Sequence, residues 1–151
     1  VQPGCECTPL RARRYRARFT GELGSYIAIW LHAAPPGKAG PSSAEAGGLG
    51  DADVVSAARV AAARRRARRR LDGTPWQASA DIPGAQLRCC YQPAAEALAP
   101  ISRAVDLGEI SPRAAGQVIG VAWTLADLAG EARPGARECG LALAFGLGVA
   151  R

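Results

Sequence analysis

Apolar residues recur at helical spacing through most of this chain, and the places where the pattern fails mark its joints. Pro9 opens PLRARRYRARFT (9–20), which reads as a short basic helix carrying Arg11, Arg13, Arg14, Arg16 and Arg18. Residues 26–33, YIAIWLHA, have the β-branched and aromatic content of a short buried strand. Residues 34–50 are rich in Pro, Gly and Ser, keep no periodic face and read as a linker. A helix follows over 53–71, with Asp51 or Asp53 near its start. Val60, Ala63, Ala67 and Leu71 form one stripe of it, and it stops at Asp72-Gly73. Residues 74–92 read as a loop with short structured pieces. Three further helices are predicted at about 93–107, 112–129 and 135–147. The expected core includes Val118, Val121, Ala122, Leu125, Leu128, Leu141 and Leu143.

The stretch SPRAAGQVIGVAWTLADLAG (111–130) raises a specific question. Ser111 suits the cap and Pro112 the first helical position. Arg113 then places a cation in the first turn, where the helix dipole already makes the end positive. On this helix Arg113, Gln117, Gly120, Thr124 and Asp127 share one narrow stripe, and the other faces are apolar from Val118 onward. Spacing alone leaves two readings open. The stripe faces solvent with Arg113 merely exposed, or it faces a cleft in which Arg113 reaches an anion.

Composition adds to this. The 151 residues carry a net charge of +6, nearly all of the positive charge is arginine, and Lys38 is the only lysine. Guanidinium forks suit phosphate and carboxylate, so nucleic acid and nucleotide phosphate become candidate partners. Arg64, Arg65, Arg66, Arg68, Arg69 and Arg70 are the densest cluster. They fit either a solvated helix end or a sequence-independent contact to DNA phosphates. No apolar run approaches the roughly 20 residues that span a bilayer, and no signal peptide is visible, so no membrane partner and a cytoplasmic location are expected. The chain begins with Val1 and holds no Met, which points to a fragment.

Several chemistries lack their residues. No phosphate-binding GxxxxGK[ST] loop occurs, and no apolar strand ends in paired acids for magnesium. His32 is the only histidine, which excludes an HExxH pair and gives no case for acyl transfer. It is expected to be structural. The cysteines, Cys5, Cys7, Cys89, Cys90 and Cys139, make no secreted disulfide framework. Cys5-x-Cys7 has the spacing of half a zinc site, but two thiolates do not close one, and incidental cysteines are the competing reading. No catalytic residue and no metal site are therefore assigned.

CECTPLRARRYRARFTGEL (5–23), TPWQASADIPG (74–84) and SPRAAGQVIGVAWTLADLAGEARPG (111–135) resemble, in order, the C-terminal region of magnesium chelatase-like AAA+ ATPases of the competence-protein (ComM/YifB) type. The Ala, Arg and Gly content is similar to that of actinobacterial members. The resemblance implies that 1–33 end an α/β AAA+ core with a basic helix and its last strand, that 34–52 are a flexible linker, and that 53–151 are the helical lid domain. The whole is mainly α. It also implies that Arg113, in Ser111-Pro112-Arg113, is the second-sensor arginine touching the γ-phosphate of ATP. Family lids place further arginines along this stripe, where Gln117 and Gly120 stand here.

The family pattern SGPLLDRIDL corresponds to TGELGSYIAI (20–29). Tyr26 then occupies the position of the arginine finger, and Ser25 and Ala28 those of its flanking acids. A tyrosine cannot supply that charge. ATP and magnesium are cofactors only of an intact relative. The implied partners are the missing AAA+ core, copies in a homo-oligomeric ring, and DNA. Cys5 and Cys7 fit a zinc site completed by an upstream pair. The expected role is the lid of a DNA-processing motor for competence or recombination, not an ATPase by itself. A basic helical DNA-binding module and a decayed remnant are the alternatives.

Overall fold

The computed structural model describes residues 6–20, 24, 26–31 and 51–148. The elements are α1 (Pro9–Thr20), α2 (Asp51–Arg70), a 3-10 turn (Ser79–Asp81), α3 (Gly84–Cys89), α4 (Ala95–Asp106), α5 (Pro112–Ala129) and α6 (Ala136–Leu147). The protein is mainly helical, as its periodicity predicts. The linker expected at 34–50 lies outside the described residues, as do His32, Cys5 and Ser25.

Helix α5 is the axis of the bundle. It packs against α2, α3, α4, α6 and the 3-10 turn, and α4 also packs on α6. Its ends are chemically marked. The Ser111 hydroxyl accepts from the Ala114 N–H at 3.1 Å, Pro112 takes the first turn, and Gly130 closes the helix in the left-handed conformation (φ 86°). Helix α6 begins with Glu138 accepting from the Gly135 N–H at 3.0 Å.

The core is aliphatic and small-grained. Leu71, Ile82, Leu87, Ile101, Ile110, Val118, Ile119 and Trp123 bury around Ala97, Ala104, Ala115, Ala122, Cys139 and Ala142. Burying a side chain of Leu or Ile size contributes about 1.5–3 kcal/mol, and alanines contribute mainly by letting helices approach. Trp76 and Trp123 meet Tyr91 edge to face, with centroids 6.1 and 6.4 Å away, and the Trp123 Nε1–H donates to the Tyr91 carbonyl at 2.7 Å. Cys139 is fully enclosed, and burial next to Glu138 pushes its thiol up to about 11.

Val118 and Ala122 are buried as expected, while Val121, Leu125, Leu128 and Leu143 are half-buried. Leu141 departs from expectation. It is 42% exposed, because α6 turns Cys139 and Ala142 inward instead. On α2 the predicted stripe holds for Ala63, Ala67 and Leu71, but Val60 lies outside the core at 40% exposure.

The expected strand at 26–33 is not formed over its described part, 26–31. A strand needs a neighbouring ladder for its backbone groups, and none is present among the described residues. The Trp30 N–H is instead satisfied by the Phe145 carbonyl on α6 at 3.0 Å. Tyr26, Ile29 and Leu31 are exposed, not buried.

A buried ion pair ties α2 to α5. Arg70 meets Asp127 through Nη1–Oδ1 at 2.5 Å and Nη2–Oδ2 at 2.9 Å, a bidentate pair. It also donates to the Ser79 hydroxyl at 3.0 Å and lies 4.2 Å from the Trp123 ring centroid. The Asp127 side chain is 4% exposed and that of Arg70 16%. Removing one partner strands the other's charge in a mostly dry site. Arg70→Ala or Asp127→Ala should lower unfolding stability by about 3 kcal/mol. The joint replacement Arg70→Met with Asp127→Leu should cost much less. Urea titration of the three variants measures both.

Candidate functional site

The site is built on the N-terminal half of α5. Arg113, Gly116, Gln117, Gly120 and Thr124 form one wall of a cavity of about 360 Å³. Ile82, Leu87 and Val121 give it an apolar lining, and Ala28 closes it from the segment 26–31. Arg113 leaves α5 towards that segment. Its guanidinium lies 4.0 Å from the Tyr26 ring centroid, and Nη1 donates to the Tyr26 hydroxyl at 3.2 Å. Both side chains are exposed, so a cation–π contact here is worth about 0.5–1 kcal/mol. The cation in the first turn thus faces outward onto a cleft and not along its own helix.

Glycines set the shape of this wall. A Cβ on Gly116 would stand 3.0 Å from the Gly84 Cα and 3.2 Å from Arg88 Nη1, so α3 lies almost backbone to backbone on α5. Arg88 Nη1 also donates to the Pro112 carbonyl at 3.0 Å, next to Arg113. Gly120 is covered by Leu87 and faces the Ser79 carbonyl. A long cation at 120, as the family pattern has it, would meet that cover. The Thr124 hydroxyl turns inward to the Gly120 carbonyl at 3.1 Å. Among the described residues, Arg113 is accordingly the one charged side chain in the cavity lining.

The polar stripe predicted on α5 is therefore divided. Arg113, Gln117, Gly120 and Thr124 line the cleft, Gly120 lying deepest beneath Leu87, but Asp127 faces α2. The arginine run is divided too. Arg70 is held by Asp127, and Arg66 Nη1 donates to the Asp127 carbonyl at 2.8 Å, so these two anchor α2. Arg64, Arg65, Arg68 and Arg69 stay exposed on the outer face. The Arg70–Asp127 pairing is absent from the sequence reading, although a signal existed. Asp127 interrupts an apolar run, and Arg70 follows Ala67 at stripe spacing.

Cysteines 89 and 90 end α3 side by side, both exposed, with sulfurs 2.8 Å apart. The hydrogen bond with Cys89 is the main cause that raises the Cys90 thiol above its usual range. Among the described residues no cluster of three or more His, Cys, Asp or Glu side chains could hold a metal ion. Arg113 fits the phosphate end of a nucleotide, while the described residues offer magnesium no ligand set. Among them, no helix is long and apolar enough to cross a membrane.

The sequence model of the family described as magnesium chelatase, subunit ChlI C-terminal, matches residues 52–146. The chain belongs to this family. The match begins one residue into α2 and ends one residue short of the end of α6, so it takes in nearly all of the bundle around α5. An uncharacterized protein of Mycobacterium bovis is 34% identical over 143 residues. Uncharacterized proteins of two Mycobacterium tuberculosis strains show the same identity. The alignment covers 93% of this chain and 27% of each relative, so the chain spans about a quarter of the length of the curated relatives it matches. No solved structure matches.

The packing of this chelatase C-terminal domain makes a paired expectation. Gly116→Ala should cost about 1–3 kcal/mol, since neither α3 backbone nor α5 backbone can move aside. Gly120→Ala, whose Cβ would sit 3.4 Å from Leu87 Cδ1, should change stability by no more than about 1 kcal/mol, helped by helix propensity. Thermal melting of the two variants tests the difference.

Proposed function

We propose that this chain is the C-terminal part of a cytoplasmic AAA+ ATPase of the competence-protein type, contributing a lid whose Arg113 contacts ATP held by a core domain. The observation that carries this is Arg113 itself, set in a helix first turn, exposed, and aimed across a cleft at Tyr26. The family match over 52–146 supports the chelatase-like frame. In this reading 1–33 end the core, 34–52 are the linker and 53–151 are the lid. Exposed Val54 and Val55 on α2 give such a core an apolar surface to meet.

The chain's own contribution is electrostatic. Arg113 presents a fixed positive charge, and a phosphate oxygen is a stronger acceptor than the phenol it now meets. Release from Tyr26 costs little, because both groups are exposed. When bound, ATP supplies the phosphoryl group that is transferred. Arg113 orients that end and offsets its developing charge. Tyr26 in the finger position brings no charge to a neighbouring subunit of a ring. Arg113 is therefore the residue through which this chain acts on the nucleotide.

The isolated chain should show no magnesium-dependent ATP turnover. In a chimera joining residues 52–148 to the core of an ATPase-competent family member, Arg113→Ala should lower turnover at least tenfold with a smaller change in ATP binding. The same substitution should leave the melting temperature of the isolated chain nearly unchanged. A large melting loss with normal turnover would make Arg113 structural and leave the remnant reading standing.

A second reading concerns DNA. It rests on Arg64, Arg65, Arg68 and Arg69, exposed together on α2. Their contact would be to phosphates, independent of sequence and strongly salt-dependent. Replacing Arg64, Arg65 and Arg68 with Ala should weaken binding to duplex DNA and flatten the slope of log K against log salt by about 2–3. Arg66 and Arg70 are kept because they anchor the fold. An unchanged slope assigns the run to a solvated helix face.

A further inference from the structure

Outside the Arg113 cleft, the residues with most untapped chemistry are Cys89 and Cys90. Two adjacent thiols are both exposed, yet their sulfurs face each other at 2.8 Å instead of pointing to opposite sides. Gln86 draws them together from one turn earlier, its Oε1 accepting from Cys90 Sγ at 3.2 Å and lying 3.7 Å from Cys89 Sγ. The pair also sits at a structural junction. Cys90 caps α3, its N–H donating to the Gln86 carbonyl at 2.8 Å. Tyr91 comes next, wedged between Trp76 and Trp123, with its carbonyl receiving the Trp123 Nε1–H from α5. Gln92 and Pro93 follow, and their carbonyls receive Arg133.

We propose that Cys89 and Cys90 form a reversible modification site, at which a low-molecular-weight disulfide is reduced and the two sulfurs join as a vicinal disulfide. The thiolate of one cysteine attacks a sulfur of the small disulfide, making a mixed disulfide and expelling one small thiolate. The neighbouring cysteine loses its proton to solvent, attacks the protein sulfur of that mixed disulfide and expels the second small thiolate. One S–S bond is broken and one is formed. Two electrons pass from the protein pair to the reagent, and the two thiol protons end on the two small thiols.

The product is labile by construction. Adjacent Cα atoms are about 3.8 Å apart, closer than the roughly 4.4–6.8 Å that unstrained disulfides span. Strained, exposed disulfides are the readily reduced, regulatory kind. Closing the ring must turn the peptide between Cys89 and Cys90. The next group along the chain is Tyr91, so the change reaches the two tryptophans that meet its ring edge to face and, through Trp123, helix α5.

The test uses the full chain with Cys5→Ser and Cys7→Ser, leaving the enclosed Cys139 in place. The protein is treated with glutathione disulfide and examined by peptide mass mapping and tryptophan fluorescence. The expected result is a peptide containing residues 89 and 90 that is lighter by two hydrogens and carries no adduct. Its two free thiols are lost, the fluorescence shifts, and dithiothreitol reverses every change. With Cys90→Ser added, the reaction should stop at a glutathione adduct on Cys89. Lack of reaction, an adduct that persists on the unsubstituted pair, or a disulfide between two chains would each overturn the proposal. An intramolecular disulfide with unchanged fluorescence would overturn its coupling to α5.

Discussion

The fold depends on one ion pair placed where water scarcely reaches. Asp127 is a carboxylate on the buried side of the central helix, and the Arg70 guanidinium makes that position tolerable. The same guanidinium meets Ser79 and the face of Trp123, so α2, the 3-10 turn and α5 converge on a single planar cation. The pair fixes the rotation of α2 about its axis. With Arg70 turned inward, Ala63 and Ala67 face the bundle and Arg64, Arg65, Arg68 and Arg69 face solvent. Any surface role for that run is thus selected by the one arginine that is withdrawn from it.

Much of the helix layout was legible because it is local. Ser111-Pro112 and Gly130 bracket α5 in both sequence and structure, and the limits of α1 agree residue for residue. The conflict at Arg113, a cation against its own dipole, marked the position but left open whether it faced solvent or a cleft. What was not legible is pairwise. Asp127 fell on a stripe with Arg113, and periodicity cannot say that a second helix arrives to split that stripe. YIAIWL has strand composition, yet composition does not provide a neighbouring ladder. With the Phe145 carbonyl available instead, the chain spends its hydrogen bond on a helix end. Leu141 failed similarly, since α6 buries the smaller Cys139 and Ala142 at its close crossing with α5.

Small residues decide the shape of the cleft. Gly84 against Gly116 brings two helix backbones together, and Leu87 over Gly120 closes the next turn. Charge is thereby concentrated at one end of the α5 wall. The family resemblance expected more cations along that wall, and the packing of α3 accounts for their loss at Gly120 without invoking the reaction.

The segment 26–31 touches the bundle at two places, Tyr26 on Arg113 and Trp30 on the end of α6, where its N–H meets Phe145 and its Cβ lies against Gly148. A side chain anchored four residues from its contact behaves as a tethered competitor. Its effective concentration at the guanidinium is on the order of millimolar or higher, as for any short linker. In the proposed function, an incoming phosphate replaces this local tyrosine as well as bulk water, and the contact it displaces is a weak one between two exposed groups. In that reading, how firmly Trp30 holds its helix end sets how readily Tyr26 gives way.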